Sequence, residues 1–140
     1  MTSSPDAIPA ADQRQLLCTH AIYGLHALSV TAGVVTTLLG HRTLLFGLPS
    51  LVGAVLNVVQ RGQSQGSWLA SHSRWLWHTF WWMVAGVVAV TVAFGPILSV
   101  LTRLPLLEIG YLAVAGWAGW RLARGWRALR AGQSLREETA

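Results

Sequence analysis

The sequence predicts an all-α integral membrane protein: four transmembrane helices in a compact bundle. Three observations carry this. Only 11% of the 140 residues are charged and 53% are hydrophobic, whereas an average soluble domain carries about 25% charged residues. Four stretches are nearly free of charge: 15–41, 43–60, 75–102, and 104–120, the last interrupted only by Glu108. A membrane span needs about 20 mostly apolar residues, and these stretches meet that length. Finally, the basic residues, all ten of them arginine, lie mostly between and after the stretches rather than inside them.

The same composition excludes other classes. A net charge of +5 would suit a nucleic-acid binder, but a soluble surface of this size needs more charge than the chain has. Disorder requires low hydrophobicity. A disulfide scaffold requires more than the single Cys18.

In chain order, residues 1–15 are polar and without period, which predicts a disordered tail. They lack the basic start of a signal peptide, and the apolar run that follows is too long for one. Spans are expected at about 16–39, 44–59, 75–101 and 106–122, forming one domain over 16–132 with a loop at 60–74 and a short tail at 133–140. The second span is short, and Pro49 is expected to kink it. Residues 85–94 (AGVVAVTVAF) are apolar almost all round, whereas a helix of a soluble bundle needs a polar face. The two hairpins between spans 1–2 and 3–4 are only a few residues long, so each pair should be antiparallel neighbours. Small residues four apart, at Ser29/Gly33, Ser50/Ala54, Ala85/Ala89/Ala93 and Ala115/Gly119, offer places for close helix approach. Asn57 is expected to hydrogen-bond across helices.

Orientation follows from the arginines. Arg14, Arg61, Arg74, Arg121, Arg124, Arg127, Arg130 and Arg136 fall on one side of a four-span chain, against Arg42 and Arg103 on the other. Short basic loops stay in the cytoplasm, so both termini and the middle loop are expected there. All eight tryptophans fall toward the same side. That suits interfacial anchoring or an aromatic docking surface.

Residues 121–131 (RLARGWRALRA) place Arg121, Arg124, Arg127 and Arg130 on one half of a helical wheel and Leu122, Trp126 and Leu129 on the other. This reads as a basic amphipathic continuation of span 4. Its ligand is the anionic lipid surface, at about 1 kcal/mol per arginine, or an acidic protein partner; nucleic acid is not expected. In the middle loop, Ser67 or Ser71 could cap the next helix. A short interfacial helix carrying Trp68, Leu69 and Trp75, with His72 and Arg74, fits the amphipathic pattern.

His20 and His26 on span 1 and His72 and His78 at the start of span 3 lie at matched depths, each pair six residues apart. Facing pairs could ligate a b-type haem, bind a metal or relay protons. Alternatively they hydrogen-bond between helices, and spacing alone leaves this open. No cofactor is expected as the leading reading. No phosphate loop, nucleophile elbow or zinc spacing occurs, and Asp6, Asp12, Glu137 and Glu138 all lie in the tails. An enzyme is therefore not expected.

Four segments, HAIYGLHALS, NVVQR, GSWLASHSRW and WRLARGWRALRAG, together resemble a widespread bacterial family of small four-span membrane proteins of unknown function. Some of its members are labelled as similar to Tic-type chloroplast protein-import channel components. The resemblance runs over about 16–132 and implies an inner-membrane location. Its hallmark stretch maps onto Gly66, Trp68, Ser71, His72, Arg74 and Trp75. The leading expectation is an accessory, assembly or scaffolding subunit with a cytoplasmic Trp/Arg/His face, bound to a membrane-protein partner or to a second copy of itself. A transporter or channel component acting as an oligomer is the alternative, and a haem or metal redox protein a further one.

Overall fold

The computed structural model describes residues 13–40, 47–101 and 106–135, with the backbone alone over 94–101. The described residues form four helices and no strand: α1 Gln13–Leu38, α2 Leu48–Arg61, α3 Leu69–Leu101 and α4 Leu106–Arg130. Number, type and order are those expected. Of the expected N-terminal tail, residues 13–15 begin α1; residues 1–12, Arg42, Arg103, Arg136 and the expected start of the second span at residue 44 lie outside the described residues.

Among the described residues, two helices are long and apolar enough to cross a membrane, α1 and the Leu69–Ala93 part of α3. The expectation of four spans is met by these two on length and composition. At 14 residues, α2 is about 21 Å long, short of a hydrocarbon core of about 30 Å. The fourth helix, α4, dilutes its apolar residues with glycine, tryptophan and arginine.

Three local expectations are corrected. Pro49 does not kink α2, because the helix begins at Leu48 and the proline occupies its first turn. There the missing N–H has no intrahelical partner to lose. The interfacial helix is not a separate element: Leu69 opens α3 itself, which runs on without a break. Ser71 lies inside α3 rather than before it, where its hydroxyl donates to the Trp68 carbonyl at 2.7 Å, and the Ser67 hydroxyl donates back to the Ser64 carbonyl at 2.8 Å.

The helices run up and down, so α1 and α3 start, and α2 and α4 end, at the same end of the bundle. Close approach of α3 to α4 occurs at glycines. A Cβ on Gly86 would stand 3.1 Å from Val114, and one on Gly110 would stand 2.7 Å from Val90. The stripe Ala85/Ala89/Ala93 is exposed; Gly86 lies 100° round the helix from Ala85, and that rotation puts the glycine in the interface. Ser50 and Ala54 do face inward, and the Gly53 position abuts His26 at 3.4 Å.

The interior combines an apolar cluster of Ile22, Tyr23, Leu69, Leu76, Leu122 and Leu129 with many polar side chains. Thr19, His26, Ser29, Ser50, Asn57, Gln60, His72, Ser73 and Thr79 are buried. On α2 the contrast is sharpest: Ser50, Asn57 and Gln60 face in, while Leu51, Val52, Val55, Val58 and Val59 face out. Hydroxyls of Thr19, Thr36, Thr37, Thr79 and Thr91 donate to carbonyls one turn earlier in their own helices, satisfying themselves without water.

Asn57 pairs as expected. Its Nδ2 donates to the Ser73 carbonyl at 2.9 Å, and its Oδ1 accepts from the Ser73 hydroxyl at 2.8 Å. Asn57→Ala should therefore cost about 1–3 kcal/mol, the usual penalty for stranding buried polar partners. In a denaturation cycle, Asn57→Ala with Ser73→Ala should cost less than the two single changes added. Simple additivity would argue that the two side chains are uncoupled.

Candidate functional site

The polar and aromatic side chains converge where α1 and α3 begin and α4 ends. Tyr23, six residues before Ser29 on the inward face of α1, is fully buried at 0% exposure. Its hydroxyl lies 3.1 Å from His72 Nδ1, and His72 Nε2 lies 2.9 Å from the Gln133 carbonyl oxygen. A carbonyl only accepts, so Nε2 carries the proton; the neutral ring then offers Nδ1 as the acceptor for the Tyr23 O–H. Both ring nitrogens of His72 are thus engaged within the protein. Trp68 stands edge-on to His72 at 5.4 Å between ring centroids.

The C-terminal segment reaches this point because α4 ends in a tight reversal at Gly132, whose φ is +66°. The Gly132 and Gln133 N–H groups bond back to the Leu129 and Ala128 carbonyls at 3.1 and 3.0 Å, the paired pattern of a glycine-ended helix. The chain then turns onto the start of α3, where the Leu135 N–H donates to Ser71 Oγ at 3.0 Å.

The second half of the site joins α3 to α4 directly. The Arg121 guanidinium stacks 3.7 Å from the centre of the Trp75 ring, and its Nε donates to Thr79 Oγ1 at 2.8 Å. The Trp75 indole N–H points to the Arg121 carbonyl at 3.3 Å. Between the halves, Trp126 stacks on Tyr23 at 6.1 Å with an interplanar angle of 18° and donates its indole N–H to His20 Nδ1 at 2.9 Å. Buried Gly125 allows this convergence: a Cβ there would collide with the Tyr23 hydroxyl and stand 2.9 Å from Trp75 Nε1.

The structure sorts the expected residues. Of the hallmark stretch, Trp68, Ser71, His72 and Trp75 turn toward α4 and the chain end, Gly66 makes the loop's reversal at φ +83°, and Arg74 faces out. On the basic helix, Leu122 and Leu129, on the half of the wheel opposite the arginines, are buried in the core rather than turned to lipid. Arg121 leaves the outward stripe for the Trp75 face. Arg124 sits 5.9 Å from Trp120 and 6.0 Å from Trp75, Arg130 sits 5.3 Å from Trp126, and Arg127 is exposed. The tryptophans divide likewise: Trp75 is buried, whereas Trp81, Trp82, Trp117 and Trp120 lie outside.

The histidines do not form two facing pairs at matched depth: His26 and His78 part company. His26 is buried beside α2, with Nδ1 2.9 Å from Ser50 Oγ, while His78 is exposed. His20 and His72 share the cluster but turn to Trp126 and to Tyr23. A haem or metal on His72 would have to displace one of its two hydrogen bonds, and no group of three or more His, Cys, Asp or Glu that could hold a metal occurs among the described residues. Depth along a helix follows from counting residues; direction round it depends on how the helices are rotated in the bundle.

Sequence reasoning missed Tyr23, Thr79, Gly125 and Gln133. Tyr23 left a signal, three residues from both His20 and His26 on one helical face. Gly125 left one too, as the small residue inside an Arg/Leu/Trp stripe. Among known proteins, no family model, no curated protein and no solved structure matches the chain.

Proposed function

We propose that the chain is a small polytopic membrane protein whose four helices lie in a lipid bilayer, with both termini on the cytoplasmic side. Its task is that of an accessory or scaffolding subunit. The observation that carries the membrane reading is the reversed polarity of α2. In water, an outward face of leucine and valine on α2 over a buried face of Ser50, Asn57 and Gln60 would be unfavourable at nearly every position. In lipid the same arrangement satisfies every group, because the surroundings are apolar and polar side chains must find partners inside. The apolar windows of α1 and α3 are also mostly unburied, unlike the core helices of a soluble protein.

A scaffolding role fits a site in which every strong interaction is spent on holding one end of the bundle together. The hallmark residues clamp α4 and the chain end onto α3, and that leaves Arg74, Arg127, Trp81, Trp82, Trp117 and Trp120 outward for lipid or a neighbouring membrane protein. The resemblance to a bacterial four-span family agrees with an inner-membrane location.

Alkaline carbonate extraction tests the membrane reading: the chain should stay in the pellet, and release into the supernatant would overturn it. Terminal fusions test orientation. A fluorescent protein should fold on both ends, while periplasmic alkaline phosphatase activity at either end would reverse the topology. Purification in mild detergent tests the role, with a reproducible membrane-protein partner or a self-assembly expected and a lone monomer counting against it.

A further inference from the structure

A cavity of about 280 Å³ opens on the side of the bundle between the start of α1 and the end of α2. Its lining changes character along the helix axis. Arg14, Gln15, Gln60 and Gln63 form the mouth, at the end of the bundle. Cys18 and Leu56, one turn further from that end of the bundle, and the exposed Val59 beside Gln60 form its apolar side. Two hydrogen bonds tie the mouth together: Gln15 Nε2 donates to the Gln63 carbonyl and Gln60 Nε2 donates to the Gln15 carbonyl, both at 2.9 Å. Each amide NH2 carries two N–H groups, and each of these bonds uses one.

We infer that this groove is a binding site for one anionic phospholipid, its phosphate held by Arg14 and the glutamine amides and an acyl chain laid along Leu56 and Val59. The inference rests on the membrane reading above. Charge complementarity favours this occupant: among the described residues the lining offers the Arg14 cation and amide N–H donors and holds no carboxylate, which suits a phosphate. The polar-to-apolar order runs in the direction in which a lipid crosses the interface. A soluble anion would use the mouth and leave the apolar half empty; a zwitterionic lipid would bring its own cation against Arg14.

Cys18, the only cysteine in the sequence, lines the groove and reports on it. The full chain would be placed in phosphatidylcholine nanodiscs with and without phosphatidylglycerol, and alkylation of Cys18 by N-ethylmaleimide timed by mass spectrometry. Phosphatidylglycerol should slow alkylation about fivefold, the protection expected of a ligand present at about four times its Kd. In Arg14→Gln, which removes the cation, and in Val59→Trp, which fills the apolar end, the ratio between the two lipids should fall to about one. An anionic surface also lowers the local pH and slows every thiolate, so slowing that persists in both variants would overturn the site. Equal protection by soluble glycerol phosphate would make the occupant a free phosphate and overturn the lipid. Equal alkylation in both lipids by an incorporated chain would overturn the lipid site alone. A chain that does not incorporate into nanodiscs would overturn the membrane reading and this site with it.

Discussion

Gly125→Ala should destabilise the bundle by about 1–3 kcal/mol, the usual cost of forcing extra volume into a well-packed core, and Gly125→Val should cost more. The methyl group would occupy the space of the Tyr23 hydroxyl and crowd Trp75 Nε1. Neither neighbour can yield easily. Tyr23 is fully buried and is stacked on Trp126, and Trp75 lies under the Arg121 guanidinium. Moving either one disturbs the Tyr23–His72 contact or the α3–α4 stack. Gly116→Ala is the matched control on the same helix, since nothing lies within 4 Å of its added Cβ and alanine favours helix by up to about 1 kcal/mol. Thermal or SDS unfolding in detergent measures both. A Gly125→Ala protein as stable as the Gly116→Ala control would mean that α4 does not approach α1 and α3 this closely.

His72→Phe should have the second large effect, and one with two separable parts. Phenylalanine keeps a ring of similar size against Trp68 but offers no acceptor to the Tyr23 O–H and no donor to the Gln133 carbonyl. The Tyr23 hydroxyl is buried and would be stranded, at a cost of about 1–3 kcal/mol. The Gln133 side of the break is exposed, so its carbonyl can return to water at little cost, and the visible consequence there is release of the chain end. Amide exchange at Leu135, whose N–H is held by Ser71, should therefore accelerate in His72→Phe. Tyr23→Phe should lose stability without this acceleration, because the His72–Gln133 bond survives. The double variant should recover part of the loss, since no hydroxyl is then left without a partner. If exchange at Leu135 is unchanged in His72→Phe, the histidine does not hold the chain end.

The two predictions also mark how far the sequence could be read. Helix number and order were legible because long apolar runs broken by Gly, Pro and polar residues leave little choice of element. The pairing of Asn57 was legible because a lone amide in an apolar stretch must find a partner. The glycine-ended helix at Gly132 and the turn at Gly66 sit where positive φ is needed, and both lay inside stretches singled out from the sequence. The basic period after residue 120 gave the extension of α4, but not that its apolar half, Leu122 and Leu129, packs into the core.

Errors arose wherever direction round a helix mattered. Ala85, Ala89 and Ala93 have the right spacing for a packing face, yet Gly86 makes the contact. His26 and His78 have the right depth for a pair, yet one turns to Ser50 and the other to the outside. Arg121 has the right phase for the basic stripe, yet Trp75 takes it, because a guanidinium that is flat and weakly hydrated gains by stacking on an indole. Pro49 was misplaced for a different reason: a proline in an apolar run looks internal until the helix start is known.

What the sequence determined by itself is the all-helical character, the up-and-down order of four elements and the segregation of arginine and tryptophan toward one end. These follow from composition and periodicity, which act locally on the backbone. The tertiary structure decided which face of each helix is inside. It turned α2 so that serine, asparagine and glutamine are buried, and it brought Tyr23, His72, Trp75, Arg121 and Gly125 from three helices to one place. That choice depends on the summed fit of all four helices. A glycine on one helix and a tyrosine on another, 102 positions apart in the chain, become neighbours only when the rotation and close approach of both are fixed together.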